Sequence, residues 1–285
     1  MNSFAQKIHN ALRDFSDNNK AFNKLYLNYR SAQFACIGAR VNISRKLRSK
    51  GIFSKKYAKL PAYKDIHQGE RCFIIATGPS LTIEDIESLK GEYTFAMNSI
   101  AKLYDQTDFR PTYYAVQDNH VFIQMQDIIK AHKEVPVFIS DNIWRRFKRE
   151  SDWIEFPTDT MYHSYDMKIG KYHAKFSGNA YDIVYDGYSI AYSCLELAVY
   201  MGFKEIYLLG CDCTYLGEKE HFIDSGVEDR TRKFATPKLI VGYKAAKKYA
   251  DENGIKIYNA TRGGVLEVFP RVNLDDIIKE SCHND

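Results

Sequence analysis

From Tyr63 onward, short apolar runs alternate with stretches in which apolar residues recur every three or four positions. The runs Cys72–Ala76, Tyr93–Met97, Thr112–Val116, Val135–Ile139, Ile206–Leu209 and Lys256–Tyr258 have the length and the β-branched and aromatic content of buried strands. Between them, Ile83–Leu89, Phe122–Ala131, Ile190–Met201 and Leu239–Asn253 carry the 3.6-residue repeat of helices. Strands that are apolar throughout, each followed by a helix, predict an α/β fold: a mainly parallel sheet covered by helices on both faces.

Two stretches depart from this rhythm. In the first thirty residues Phe4, Ile8, Leu12 and Phe15 recur at helical spacing, then Phe22, Leu25 and Tyr29 do so after the polar break Asp17-Asn18-Asn19. That pattern predicts two short amphipathic helices, followed over Arg40–Lys59 by a basic, less periodic linker or docking arm. Residues 1–62 are thus read as a basic helical extension and 63–285 as the main domain. Within the latter, residues 141–187 have no clear period and include Tyr162-His163 and Tyr172-His173, which reads as a lid or substrate loop.

The net charge of +4 over 285 residues conceals an asymmetry. Residues 1–60 carry 13 Lys/Arg against 2 Asp, whereas the rest carries 27 Lys/Arg against 34 Asp/Glu. A basic arm on an acidic body reads either as a solvated helical face or as contact with an anionic surface; we expect the inner membrane face, not nucleic acid. The apolar stripes of the arm equally suit packing on the body or on a second subunit, a homo-oligomer. No 18-residue apolar stretch and no apolar signal core are present, so the expected location is the cytoplasm, with peripheral attachment to the membrane. The six cysteines show neither a Cys-x-x-Cys pair nor a regular spacing, which argues against a disulfide framework and a zinc site. In Cys211-Asp212-Cys213 the two thiols, one residue apart at a strand end, point to opposite sides.

Candidate chemistry gathers where strands end. Strand 72–76 runs into Thr77-Gly78-Pro79-Ser80, then a helix opening at Thr82. A strand, a tight glycine turn and a helix start is the arrangement that presents backbone N–H groups to a phosphate, although Thr82 and Asp85 also fit a capping box. No Gly-Lys-Ser/Thr and no Gly-x-Gly-x-x-Gly follows, which removes the main support for ordinary ATPase and dinucleotide readings. Asn98 ends the second strand and Gln117-Asp118-Asn119-His120 the third, amide and acid groups suited to a base or ribose as well as to turns and caps. Ser189 opens a second helix after Gly187-Tyr188, and Asp212 ends the strand 206–209. His221, in the polar loop beyond, is a candidate general base. In the block Asn259–Gly264 the Gly-Gly pair is either the turn before a last strand at Val265–Val268, or Arg262 reaches a phosphate.

At these residues the chain resembles the MptE-like family, named for an archaeal 6-hydroxymethylpterin diphosphokinase and including the flagellin-modifying motility accessory factors. The resemblance spans roughly residues 65–270 and rests on Ile75–Leu81, Gly202–Asp212 and Tyr258–Gly264. Parts of the pattern are also similar to bacterial sialyltransferases of glycosyltransferase family 42, which implies a Rossmann-like fold, a CMP-sugar donor and no metal for chemistry. By that resemblance Gly78, Pro79, Ser80, Asn98 and Asp118 or Asn119 line the nucleotide site, Ser189 holds phosphate, Tyr215 contacts substrate and His221 is the base. The chain departs from the pattern at Gly187, where those enzymes have Arg, and at Ile190, where they have a second hydroxyl.

Together these readings lead to an expectation: a transferase, with His221 and Asp212 catalytic and Thr77, Gly78, Pro79, Ser80, Asn98, Asp118, Asn119 and Ser189 holding the nucleotide. Its reaction is expected to be metal-independent glycosyl transfer from a nucleotide-activated sugar to a glycan or lipid-linked acceptor, with no cofactor. Two alternatives accompany it: pyrophosphoryl transfer from ATP to a hydroxymethyl pterin, with Mg²⁺ held by Asp118, Asp212 or both, and a non-catalytic nucleotide- or glycan-binding module.

Overall fold

The computed structural model describes residues 11–12, 15–16, 18–52, 54–144, 146–163, 174–214, 222–223 and 232–281. Its centre is a seven-stranded sheet built from β1 (Arg71–Ile75), β2 (Tyr93–Met97), β3 (Tyr113–Val116), β4 (Val137–Ser140), β5 (Ile154–Phe156), β8 (Glu205–Leu209) and β9 (Lys256–Asn259). The order is β5-β4-β3-β2-β1-β8-β9, and every neighbouring pair is parallel. A two-stranded parallel ribbon, β6 (Thr158–Asp159) with β7 (Val184–Tyr185), lies outside it.

The apolar runs are continuous because each strand is covered on both faces. Cys72 and Ile74 of β1 point into one core with α4 (Ile190–Tyr200) and α5 (Arg232–Glu252). Phe73 and Ile75 point into the other, with α2 (Ile83–Glu87), α3 (Asn119–Ala131) and α6 (Leu274–Ser281). The expected doubly covered, Rossmann-like α/β sheet is therefore present.

Three expectations change. The basic stretch from Arg40 is no linker down to Ser49: α1 (Lys20–Ser49) is one helix of 30 residues. Asn19 caps its start by accepting from the Phe22 N–H, and it ends where Gly51 takes φ +78° and the N–H groups of Gly51 and Ile52 return to Arg48 and Leu47. Residues 1–10, which carry Phe4 and Ile8, lie outside the described residues. The insert 141–187 is not all irregular, since β5 extends the sheet at its edge and β6 and β7 form the ribbon; residues 164–173 lie outside the described ones. No strand forms over Val265–Val268, where the chain instead wraps the end of β8 through a bond from Val265 N–H to the Asp212 carbonyl.

The end of α1 is tied to the body through Arg48, a buried residue. Its guanidinium donates to the carbonyls of Tyr181 and Asp182 and lies over the Tyr57 ring. Tyr57 and Leu60 are themselves buried, so the core already begins in the short 3-10 turns Lys55–Tyr57 and Leu60–Tyr63. No described helix is long and apolar enough to cross a membrane.

Candidate functional site

The strand order reverses direction at β1, which has β2 on one side and β8 on the other. In parallel sheets the connections diverge at such a point and leave a crevice beyond the carboxyl ends of the strands. A cavity of about 340 Å³ occupies this position. Thr77, Gly78 and Pro79 line it from the end of β1, Asn98 from β2, Gln117 and Asp118 from β3, Ser189 to Ala191 from the start of α4, and Asp212 from β8. Seven of the residues expected from the sequence, Thr77, Gly78, Pro79, Asn98, Asp118, Ser189 and Asp212, thus meet at one crevice.

Their roles differ from the expectation in ways that geometry explains. The turn Thr77–Ser80 leads into a helix start that the protein itself partly engages. Thr82 and Asp85 close a full capping box on α2, a helix of five residues, and so tie up their own two N–H groups. Ser80 turns away from the crevice and donates its hydroxyl to Oδ2 of Asp212 at 2.8 Å. Gly78 is required by the protein itself: its N–H donates to the Gly210 carbonyl at 2.8 Å, and a Cβ there would overlap that carbonyl and the Asp212 carboxylate.

Asp118 is the N-cap of α3, accepting from the N–H groups of His120 and Val121 at 2.8 and 3.0 Å. Asn119 is displaced from the expected ligand role, because its amide accepts from Trp144 N–H and donates to the Asn142 carbonyl, pinning the loop after β4. The helix start that does open into the crevice belongs to α4, eleven residues long. Ser189 caps it by accepting from Ala191 N–H at 3.2 Å.

Asn98 is unusual on two counts. Its backbone is left-handed, φ +49°, and its side-chain Oδ1 is buried without a hydrogen-bond partner. An unpaired buried amide oxygen costs free energy unless a ligand donates to it. Tyr114 fixes the residue by donating its hydroxyl to the Asn98 carbonyl at 2.6 Å.

Asp212 is buried, and burial pushes its carboxyl above the usual range, opposed by the bond from Ser80. The block Asn259–Gly264 seats it. Thr261 accepts from the Cys211 N–H at 3.0 Å, and Gly264, φ +78°, passes so close to Asp212 that a Cβ would overlap its backbone. Arg262 is held by Asp85 and Asp275. Cys211 and Cys213 are buried thiols raised by burial, and among the described residues no three His, Cys, Asp or Glu side chains converge to hold a metal.

Sequence reasoning missed one wall of the crevice. His163 stacks on Tyr188 with ring centroids 4.4 Å apart, its Nδ1 3.4 Å from Oδ2 of the buried Asp186. Tyr188 is itself left-handed, φ +77°, and the buried Lys238 places its ammonium 4.7 Å from the centre of that ring. These groups come from three separated segments, so no spacing could have announced them; the signal available was the pair Tyr162-His163 within an aperiodic insert. Glu196 of α4 holds this wall by accepting from the N–H groups of Ser177 and Tyr185, both at 2.6 Å, and burial pushes its carboxyl well above the usual range. Gly187 has φ +48° and backs directly onto the Tyr192 ring, which leaves no room for the arginine of the resembled pattern. Tyr215 and His221 lie outside the described residues.

The fold and its crevice define a parallel α/β protein with a ligand cavity at the topological switch point. The chain belongs to the MptE-like family, described as 6-hydroxymethylpterin diphosphokinase MptE-like, which it matches over residues 52–218. Among solved structures it is similar to a Maf glycosyltransferase from Magnetospirillum magneticum AMB-1, at 14% identity and a TM-score of 0.48. That similarity covers 80% of this chain and 40% of the other protein. No match was found among curated proteins.

Proposed function

We propose that the protein is a glycosyltransferase whose donor carries its sugar on a nucleoside monophosphate, the CMP-sugar type. The observation that carries this reading is the chemistry of the crevice. Its described lining is amide, hydroxyl, imidazole, backbone and carboxylate with a few apolar side chains; the one cation of its wall, Lys238, stands over the Tyr188 ring and is not itself among the residues that line the cavity, and the α4 start supplies helix N–H groups. A triphosphate brings about four negative charges that such a lining leaves unpaired, whereas one phosphodiester needs little more than a helix start and hydroxyls.

In this reading the backbone at Ile190 and the Ser189 hydroxyl hold the phosphate, and Asn98 Oδ1 accepts from an amino group of the base. The acceptor hydroxyl attacks the anomeric carbon as the bond from that carbon to the phosphate oxygen breaks. CMP leaves and the configuration inverts. We assign the acceptor's proton to His163, because Asp186 stands behind its ring as an orienting acid. His221, the base implied by the resemblance, is the comparison to test. The acceptor is a glycan or a lipid-linked glycan, with reaction on the cytoplasmic side of the membrane.

The family description favours a second reading, pyrophosphoryl transfer from ATP. Mg²⁺ would there be held by Asp118 and Asp212, each with one oxygen already engaged, together with phosphate oxygens of the nucleotide.

A thermal-shift series with CMP, CDP, UDP, GDP and ATP, each with and without Mg²⁺, separates the readings, since a ligand of the folded state raises its stability. Stabilisation by CMP in chelator is the expected result. Stabilisation by ATP only with Mg²⁺ would replace the glycosyltransferase by the kinase. CMP binding with no turnover of any CMP-sugar would leave a binding module.

A further inference from the structure

The loop that follows β4 stands beside the crevice and is held at several points. Asn119 accepts from Trp144 N–H at 2.6 Å, Phe147 N–H returns to the Trp144 carbonyl, and the Arg149 guanidinium donates to the carbonyls of Ile143 and Phe147. Beneath it Phe147 packs on the buried Phe122, and Ile143 is buried. These ties set the rings of Trp144 and Phe147 nearly parallel, 16° apart with centroids at 6.0 Å. The guanidinium of Arg146 lies across both, 4.1 Å from the centre of the first ring and 5.1 Å from the second. His120 joins this platform to the crevice, since it lines the cavity and its ring meets Trp144 edge-on at 5.8 Å.

The platform carries positive charge on an acidic body. Residues 61–285 hold 27 Lys/Arg against 34 Asp/Glu, an excess of 7 negative charges, yet the run Arg145–Arg149 has four basic residues and no acid. Nearby acids are engaged elsewhere, Asp141 by Lys56 and Glu155 by Arg149. Arg146 and Lys148 are exposed, and among the described residues no carboxylate pairs with either. A guanidinium laid on two rings has already lost rotamer freedom, so its planar fork can meet an oxyanion at little further entropic cost. Two cations balance about two negative charges, which fits a phosphate ester better than a single carboxylate.

We propose that this platform is the acceptor subsite and that it takes the phosphate of a phosphorylated sugar, a proposal that rests on the glycosyl transfer argued above. The described crevice lining has no Arg or Lys, so a donor fills it without competing for Arg146. An acceptor whose phosphate sits on Arg146 and Lys148 has its sugar beside His120, at the edge of the crevice where transfer takes place.

Trp144 reports on the site, because Trp153, the other tryptophan, is buried. The full chain is titrated in the presence of CMP, which fills the phosphate position of the crevice, and tryptophan emission is followed up to about 10 mM ligand. Glucose 1-phosphate should give a saturable change, glucose none, and glucuronate binding at least about tenfold weaker. Arg146→Gln should weaken glucose 1-phosphate at least about tenfold, Arg146→Lys nearly as much because an ammonium lacks the fork, and Lys148→Gln about threefold. The thermal transition should not move, as both side chains are exposed. Glucose carried on a short prenyl diphosphate distinguishes the source of the phosphate: tighter binding than glucose 1-phosphate means a lipid-linked acceptor, equal binding a free sugar phosphate. No saturable change, a change that Arg146→Gln leaves intact, or an equal response to glucuronate would overturn the proposal. A chain that binds glucose 1-phosphate through Arg146 but is not stabilised by CMP would instead remove the donor reading, leaving a phosphate site without its acceptor role.

Discussion

The Ser80 hydroxyl donates to Oδ2 of Asp212 at 2.8 Å and so joins the turn after β1 to the end of β8, behind the carboxylate that lines the crevice. The two residues are 132 positions apart, and the bond is a principal support of a buried carboxylate.

Ser80→Ala removes this support. The expected loss is about 1–3 kcal/mol of stability, since a buried acceptor loses its donor. Burial raises Asp212 in the folded state, so the folded protein favours the neutral acid and the penalty grows as pH rises through the folded pKa. Urea melts should therefore show the variant further below the parent at pH 8 than at pH 5. An equal deficit at both values would mean that the bond does not act through the carboxylate's charge.

Asn98→Gly separates binding from folding. Glycine accepts φ +49° without cost and removes the unpaired Oδ1, so the melting temperature of the free protein should stay level or rise. CMP affinity should fall about tenfold, as for one lost hydrogen bond in a polar site. Calorimetric titration that returned the parent affinity would remove Asn98 from the site.

Gly78→Ala and Gly91→Ala form a matched pair. At Gly91, φ +94° with open space around it, alanine should cost about 1–2 kcal/mol for the backbone alone. At Gly78 the new Cβ meets the Gly210 carbonyl and the Asp212 carboxylate, and the cost should reach about 3 kcal/mol. Chemical denaturation of both variants checks the difference.

His163→Gln should lower kcat of glycosyl transfer about 10²-fold or more while CMP binding stays unchanged, and Asp186→Asn should reproduce part of that loss. His221→Ala is expected to have the smaller effect on kcat. The reverse order would return the base to His221.

The sequence by itself determined the sheet and most of the crevice floor. Buried parallel strands are uniformly apolar, and helices on both faces carry a 3.6-residue repeat, so β1, β2, β3 and β8 and the polar residues at their ends are visible as local signals. Placing Asn98, Asp118, Ser189 and Asp212 at one site needed only the rule that parallel strands end on one side. What each group does there was a tertiary matter. Whether Thr82 and Ser80 serve a phosphate or the protein depends on Asp85 and Asp212, and the second of these is far away in sequence. Likewise Asn119 is taken by Trp144, Arg262 by Asp275, and the wall of His163, Tyr188 and Lys238 assembles from segments with no common period. Periodicity reports which side of an element is buried. Which polar groups remain unpaired for a ligand is decided only once distant hydrogen-bond partners have come together.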